Sequence, residues 1–153
     1  ETVARLAAVP NIAGIKEASG NVDQSSDIRR LCGPDFTILS GDDSLTLPIL
    51  AVGGSGVISV VANVAPAQVA GLTNAWRAGR LAEAQQLHLD LFDLSRAMFV
   101  ETNPGPVKAA AAMLGLCTDE LRLPLAPPGD ATRARLAAAM AAAGIDAPAG
   151  VSR

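Results

Sequence analysis

One lysine in this 153-residue chain stands in unusual company. Lys16 lies in the run Ala13-Gly14-Ile15-Lys16-Glu17, short and largely apolar. Read as a strand, the run alternates faces, so Ala13 and Ile15 share one side while Gly14 and Lys16 share the other. Ile15 suits a face covered by helices, which sends Lys16 to the opposite face, near the carboxyl end of the strand. Partial burial there disfavours the ammonium form, and a neutral amine attacks a carbonyl carbon to give an imine. Gly14 would leave room below the amine, and Gly20-Asn21 permits a tight turn above it. A lysine that snorkels to solvent, or that pairs with a carboxylate, fits the same pattern.

Other segments carry weaker signals. Gly41-Asp42-Asp43 offers paired acids, but with no third ligand in view the expected role is to cap a helix beginning near Ser44. Gly53-Gly54-Ser55-Gly56 only loosely resembles a phosphate-cradling loop; it precedes a strand and is expected to stop one helix and admit the next strand. Ile58, Ser59 and Val60 then bring backbone and hydroxyl groups toward the same rim as Lys16. Asn103-Pro104-Gly105-Pro106-Val107-Lys108 forms a rigid helix connection. His88, the only histidine, sits beside Leu87 and Leu89 and is expected to be a partly buried structural group.

These residues are positioned by a repeated unit. Glu1 to Ala8 resembles the end of a helix with Val3, Leu6 and Ala7 on one face. Strands are expected at Ile12 to Glu17, Phe36 to Ser40 and Gly56 to Val60. Helices are expected over Val22 to Cys32, from Ser44 to Val52, and from Pro66, a favoured first-turn residue. Strand and helix in alternation mean parallel strands with helical crossovers, and the near-continuous apolar strands fit burial on both faces. After Gly79 the pattern is helical. Ala84, Leu87, Leu91, Leu94 and Met98 form one stripe, Pro106 to Leu114 a further helix, and Asp130 is expected to cap a last helix ending near Ala143. Three parallel strands cannot close a barrel, which needs eight strands and ~250 residues. The chain therefore reads as the carboxyl-terminal part of a larger protein.

Composition excludes several roles. A net charge of -3 and 3% aromatics, with no Tyr, give neither a basic field nor stacking platforms, so no nucleic-acid partner is expected. No charged residue occurs between Asp43 and Arg77, but Pro48, Gly53, Gly54, Gly56, Asn63, Pro66 and Gln68 interrupt the run, so no membrane span is expected. Cys32 and Cys117 lack metal-ligand spacing and suit a reducing, cytoplasmic setting.

Five ordered segments also resemble the dihydrodipicolinate synthase family of pyruvate-dependent class I aldolases. They are Gly14-Ile15-Lys16-Glu17-Ala18-Ser19-Gly20-Asn21, Leu39-Ser40-Gly41-Asp42-Asp43, Gly53 to Val64, Phe99 to Lys108, and Leu121-Arg122-Leu123-Pro124-Leu125. Gly105 departs from the pattern, since an aliphatic residue is usual between the two prolines, and a looser turn is expected there. The resemblance implies an α/β fold made of the last three β/α units of a TIM (β/α)8 barrel over residues 1–79. It adds a carboxyl-terminal helical domain over 80–145, leaving 146–153 as a disordered tail. It implies Lys16 as the catalytic, imine-forming residue, the Ile58 carbonyl as a contact to bound pyruvate, and no metal or organic cofactor. The implied reaction is a lyase-class condensation of pyruvate with aspartate-4-semialdehyde to 4-hydroxy-tetrahydrodipicolinate, for diaminopimelate and lysine synthesis. A cytoplasmic homo-oligomer, a tetramer when intact, is also implied. The family's tyrosine proton relay, its pyruvate-orienting threonine and its aldehyde-binding arginine fall upstream of residue 1. Alternatives are N-acetylneuraminate lyase, a keto-deoxy-sugar-acid aldolase, or a non-catalytic half-barrel.

Overall fold

The computed structural model describes residues 1–146, so the expected tail lies outside it apart from Asp146. Over the first half of the chain, strands and helices alternate. They are α1 (Thr2–Ala7), β1 (Gly14–Glu17), α2 (Val22–Cys32), β2 (Thr37–Ser40), α3 (Thr46–Ala51), β3 (Gly56–Val57) and α4 (Pro66–Arg77). Short 3₁₀ turns at Asp43–Leu45 and Val61–Asn63 precede α3 and α4. Then come α5 (Leu81–Ala97), α6 (Gly105–Met113) and α7 (Asp130–Ala142). The sheet order is β1-β2-β3, with both pairs parallel. Parallel neighbours require long crossovers, which α2 and α3 supply.

Local chemistry sets several boundaries. Asn21 Oδ1 accepts from the backbone N–H of Asp23 at 2.9 Å and of Gln24 at 3.4 Å, starting α2 at its expected position. Arg29 and Arg30 in its last turn oppose the negative end of the helix dipole. Pro66 opens α4 as expected. The stop of α3 also follows expectation: Gly53 N–H donates to Leu50 O at 3.1 Å and Gly54 N–H to Ile49 O at 2.8 Å. At α7 the expectation fails. Gly129 is the N-cap and Asp130 the first helical residue, with no side-chain cap bond. Gly129 N–H is instead taken by Glu101 Oε1 at 3.1 Å, and Arg133 reaches back to Asp119 at 2.5 Å.

Two apolar layers hold these elements. Ile28, Phe36, Ile38 and Ile49 are buried between the sheet and its helices, with Ile12, Ile15, Cys32 and Leu45 packed around them. Val3 and Ala7 of α1 lean on the same layer, whereas Leu6 is exposed. The half-buried stripe of that helix runs along Val3, Ala4 and Ala7, and Leu6 falls just past its edge. The second layer joins Val61, Val64 and Ala65 to Leu91 and Leu94 of α5, its C-cap Met98, Val107 of α6, and Leu136 and Met140 of α7. Each fully buried side chain of this size contributes roughly 1.5–3 kcal/mol. The stripe expected along α5 is the one observed, with Leu87 half-buried at its start.

β3 is shorter than its expected span to Val60, ending in pairing terms at Val57. The segment leading into it is gripped from two sides. Arg29 of α2 donates to Gly53 O at 2.6 Å, and Arg77 of α4 donates to Ser55 O at 2.7 Å.

Gly14 meets a close approach between strands. A Cβ there would lie 2.4 Å from Thr37 O and 2.7 Å from Thr37 Cβ. The missing side chain therefore admits β2, which replaces the expected reason of room below the amine. Gly14→Ala is expected to destabilise the protein by about 1–3 kcal/mol, the usual cost of overpacking, read from chemical denaturation midpoints. The sheet face opposite the helices carries exposed Lys16 and Ile58, and β1 and β3 each keep an unpaired edge among the described residues. Prepared alone, this chain is expected to self-associate; a monodisperse, cooperatively melting monomer in size exclusion and near-UV spectra would contradict that.

Candidate active site

The pleat of β1 fixes which groups face which way. Ile15 packs into the helix-side layer, and Glu17, two residues on, is buried on that side. Lys16 takes the other face, in register with Leu39, which is in turn in register with Gly56. Lys16 thus stands on the helix-free face at the carboxyl end of the sheet, as its strand pattern predicts. It is exposed, however, and no ion pair with it occurs among the described residues. The expected desolvation is not supplied by β1–β3, because none of them crosses that face.

Gly41, just past β2, borders the lysine. A Cβ at Gly41 would lie 3.1 Å from Lys16 Cε and 2.5 Å from Ala18 Cβ. The bare backbone lets the lysine side chain lie across the end of β2. Gly41 N–H donates to Glu17 O at 2.6 Å and joins the two rims directly.

Glu17 was not singled out in the sequence, although its place on the Ile15 face was a usable signal. Its carboxylate is 2% exposed. It accepts from Ser19 N–H at 2.9 Å, Gln24 Nε2 at 3.1 Å and Ser25 Oγ at 3.2 Å. Burial pushes its pKa up, but the hydrogen bonds from Ser19, Ser25 and Gln24 together outweigh burial and hold it below the ordinary 4.5. The carboxylate ties the Lys16 strand to the first turn of α2.

The paired acids do not act as expected. Neither Asp42 nor Asp43 makes a side-chain cap bond to the helical segment that follows. Asp43, 8% exposed, reaches the loop after β3. It accepts from Ser59 Oγ, from Val60 N–H at 2.8 Å and from Val61 N–H at 3.2 Å. β2 stops at Ser40 and so offers the chain beyond Ile58 no further pairing, and these two amides donate to Asp43 where the backbone turns into a 3₁₀ segment. Ser59 Oγ also accepts from Ala62 N–H at 2.8 Å, so its hydroxyl serves the loop.

Ile58 stands between the end of β3 and this pinned loop. Its N–H donates to Ser40 O at 2.8 Å, extending the pairing by one bond. Its side chain is 46% exposed, and no donor to its carbonyl oxygen occurs among the described residues. His88 is half-buried beside Phe92, with ring centroids 6.0 Å apart, and burial holds its imidazole below the ordinary value. Among the described residues no cluster of His, Cys, Asp and Glu could hold a metal, and no helix is long and apolar enough to cross a membrane.

A parallel β/α sheet with a lysine at its carboxyl rim, on the face away from the helices, is the arrangement of β/α-barrel enzymes, whose chemistry gathers at that rim. The sequence profile of the Dihydrodipicolinate synthetase family matches residues 1–143, and the chain belongs to that family. A 4-hydroxy-tetrahydrodipicolinate synthase of Pelobacter propionicus is 54% identical over 145 residues, which are 95% of this chain and 50% of that protein. The 4-hydroxy-tetrahydrodipicolinate synthase from the thermoacidophilic methanotroph Methylacidiphilum fumariolicum SolV superposes with a TM-score of 0.91 at 46% identity, covering 94% of this chain and 48% of that one. The chloride inhibited dihydrodipicolinate synthase from Acinetobacter baumannii, solved complexed with pyruvate, gives 0.90 at 35% identity, covering 95% and 50%. These neighbours are TIM-barrel enzymes, and the chain spans about half the length of the relatives it matches.

Glu17→Ala would leave the buried Ser25 hydroxyl and the Ser19 N–H without their acceptor. It is expected to cost about 1–3 kcal/mol in denaturant titrations of the full-length protein. Because the folded carboxyl titrates below 4.5, its contribution is complete above that pH and is lost as pH falls through the lower, folded value. The gap between wild type and Glu17→Ala should therefore close on acidification below 4.5 and stay constant above it.

Proposed function

We propose that this chain is the carboxyl-terminal half of a 4-hydroxy-tetrahydrodipicolinate synthase and that Lys16 is its imine-forming residue. The observation that carries this reading is the position of Lys16, at the carboxyl end of β1 on the helix-free face, beside the bare backbone of Gly41. Residues 1–79 would be the last three β/α units of the barrel, and 80–145 the helical domain behind them. The substrates would be pyruvate and aspartate-4-semialdehyde, in a cytoplasmic homo-oligomer of the tetrameric kind.

The chemistry follows from the amine. Lys16 Nζ attacks the ketone carbon of pyruvate, and loss of water gives the imine. The protonated imine withdraws electrons from the adjacent methyl group, which gives up a proton to become an enamine. The enamine carbon attacks the aldehyde of the semialdehyde. The new chain then cyclises through its own amine, which displaces Lys16 from the imine carbon. The iminium is the electron sink, so the reaction calls for no metal or organic cofactor.

The Ile58 carbonyl, bonded to no donor among the described residues, would contact the bound keto acid near the lysine. The proton-moving groups of the family are tyrosines, and this chain has none. They would come from the other half of the barrel, together with the desolvation of Lys16 that β1–β3 leave unprovided.

Borohydride reduction of the full-length protein with pyruvate should leave a reduced adduct on the peptide containing Lys16. Lys16→Ala should abolish both the adduct and turnover. An adduct on another lysine, or one that survives Lys16→Ala, would remove this assignment.

A further inference from the structure

We propose that Asp43 is a positioning residue for the keto-acid site, setting through its buried carboxylate where the Ile58 carbonyl stands relative to Lys16. The proposal rests on the reading of Lys16 and Ile58 above and adds to it the group that holds them in register.

Three observations converge on this carboxylate. The first is its burial: at 8% exposure Asp43 has left bulk water, so its charge must be met by donors. The second is where the donors come from. All of them lie 16 to 18 residues further along the chain, in the loop after β3: Ser59 Oγ, Val60 N–H and Val61 N–H. Charge-assisted bonds of this kind are shorter and stronger than neutral ones. The third is what the loop would otherwise lack. β3 pairs over only Gly56 and Val57, and Ile58 adds one N–H bond to Ser40 O. So short a ladder fixes weakly the residue immediately beyond it.

Around Asp43 the rims of the three strands are joined in sequence. Gly41 N–H on the turn after β2 meets Glu17 O at the end of β1. Ser40 Oγ donates to Asp42 O at 2.7 Å and shapes the same turn. Asp43 extends this series to the segment after β3. The path from Lys16 to Ile58 thus runs through the turn that carries Asp43, and its last link is the carboxylate. Without it, Val60 and Val61 lose their acceptor, and Ile58 is held only by its bond to Ser40. Asp43 itself touches no reacting atom in this scheme; it acts through the loop.

The test uses the full-length protein and the borohydride trap at Lys16, titrated with pyruvate. Asp43→Ala should raise the pyruvate concentration giving half-maximal adduct by about tenfold, while saturating pyruvate still labels Lys16 fully. In turnover, the KM for pyruvate should rise by a similar factor, with a smaller fall in kcat. Asp43→Asn keeps an oxygen for the Val60 and Val61 amides and should recover to within about threefold of wild type. Ser59→Ala, which removes a single donor, should give an intermediate shift. A purely structural role would lower the amount of active protein and the labelling amplitude without moving half-saturation.

If Asp43→Ala does not fold, Ser59→Ala decides the matter, because it removes one donor to Asp43 while leaving the two backbone bonds in place. Half-saturation within twofold of wild type in every folded variant would overturn the proposal. Failure of the underlying reading looks different: wild-type protein would then give no adduct at Lys16 at all.

Discussion

The covering of one face of a short parallel sheet by helices is the constraint from which the site follows. Ile15 and Ile38 are drawn into the apolar layer beneath α2 and α3, and a strand that commits one residue to a face commits its neighbour to the other. Lys16 therefore has no choice of side once Ile15 is buried. The same rule places Glu17 inward, where an acid can stay only with hydrogen-bond donors around it. Ser19, Gln24 and Ser25 provide them, and in doing so fasten the lysine strand to the helix that follows it. Packing on one face thus decides which side chains the other face presents.

Beyond the ends of the strands the backbone is irregular, and polar side chains take over from the ladder. The buried acid Asp43 gathers its donors from the loop after β3, and Glu17 gathers its own from the turn after β1 and the first turn of α2. Apolar packing specifies such turns poorly, since they offer little surface to bury. Short directional bonds specify them well, at the cost of requiring every partner to be present.

How far the sequence disclosed this depended on the range of the interaction. The bounds of α2 were readable to the residue from its helical pattern, although Asn21, read as part of a turn, is in fact its cap. The face that Lys16 takes was readable from strand alternation, and its proposed role rests on the five family segments. Asp43 was misread for an equally physical reason: an acid before a helix is ordinarily a cap, and nothing within a few residues reveals a partner 16 positions away. The early end of β3 was hidden as well, because it depends on where the neighbouring β2 stops. Leu6 was misplaced because a six-residue helix offers too few turns to locate its inward face. The exposure of Lys16 had no local signal either, since cover for its face must come from elements other than β1–β3.

The two arginines that hold the carbonyls of Gly53 and Ser55 give β3 a further property. A strand of two paired residues has almost no ladder with which to resist sliding along its own axis. Cations from α2 and α4 grip it where it begins, and an anion from the turn after β2 grips it where it finishes. It behaves as a short span clamped at both ends, its position set by the clamps rather than by the pairing between them. One residue gained or lost within that span would not be absorbed by slippage. It would displace whatever follows the second clamp by about 3.3 Å, the rise of a single strand residue.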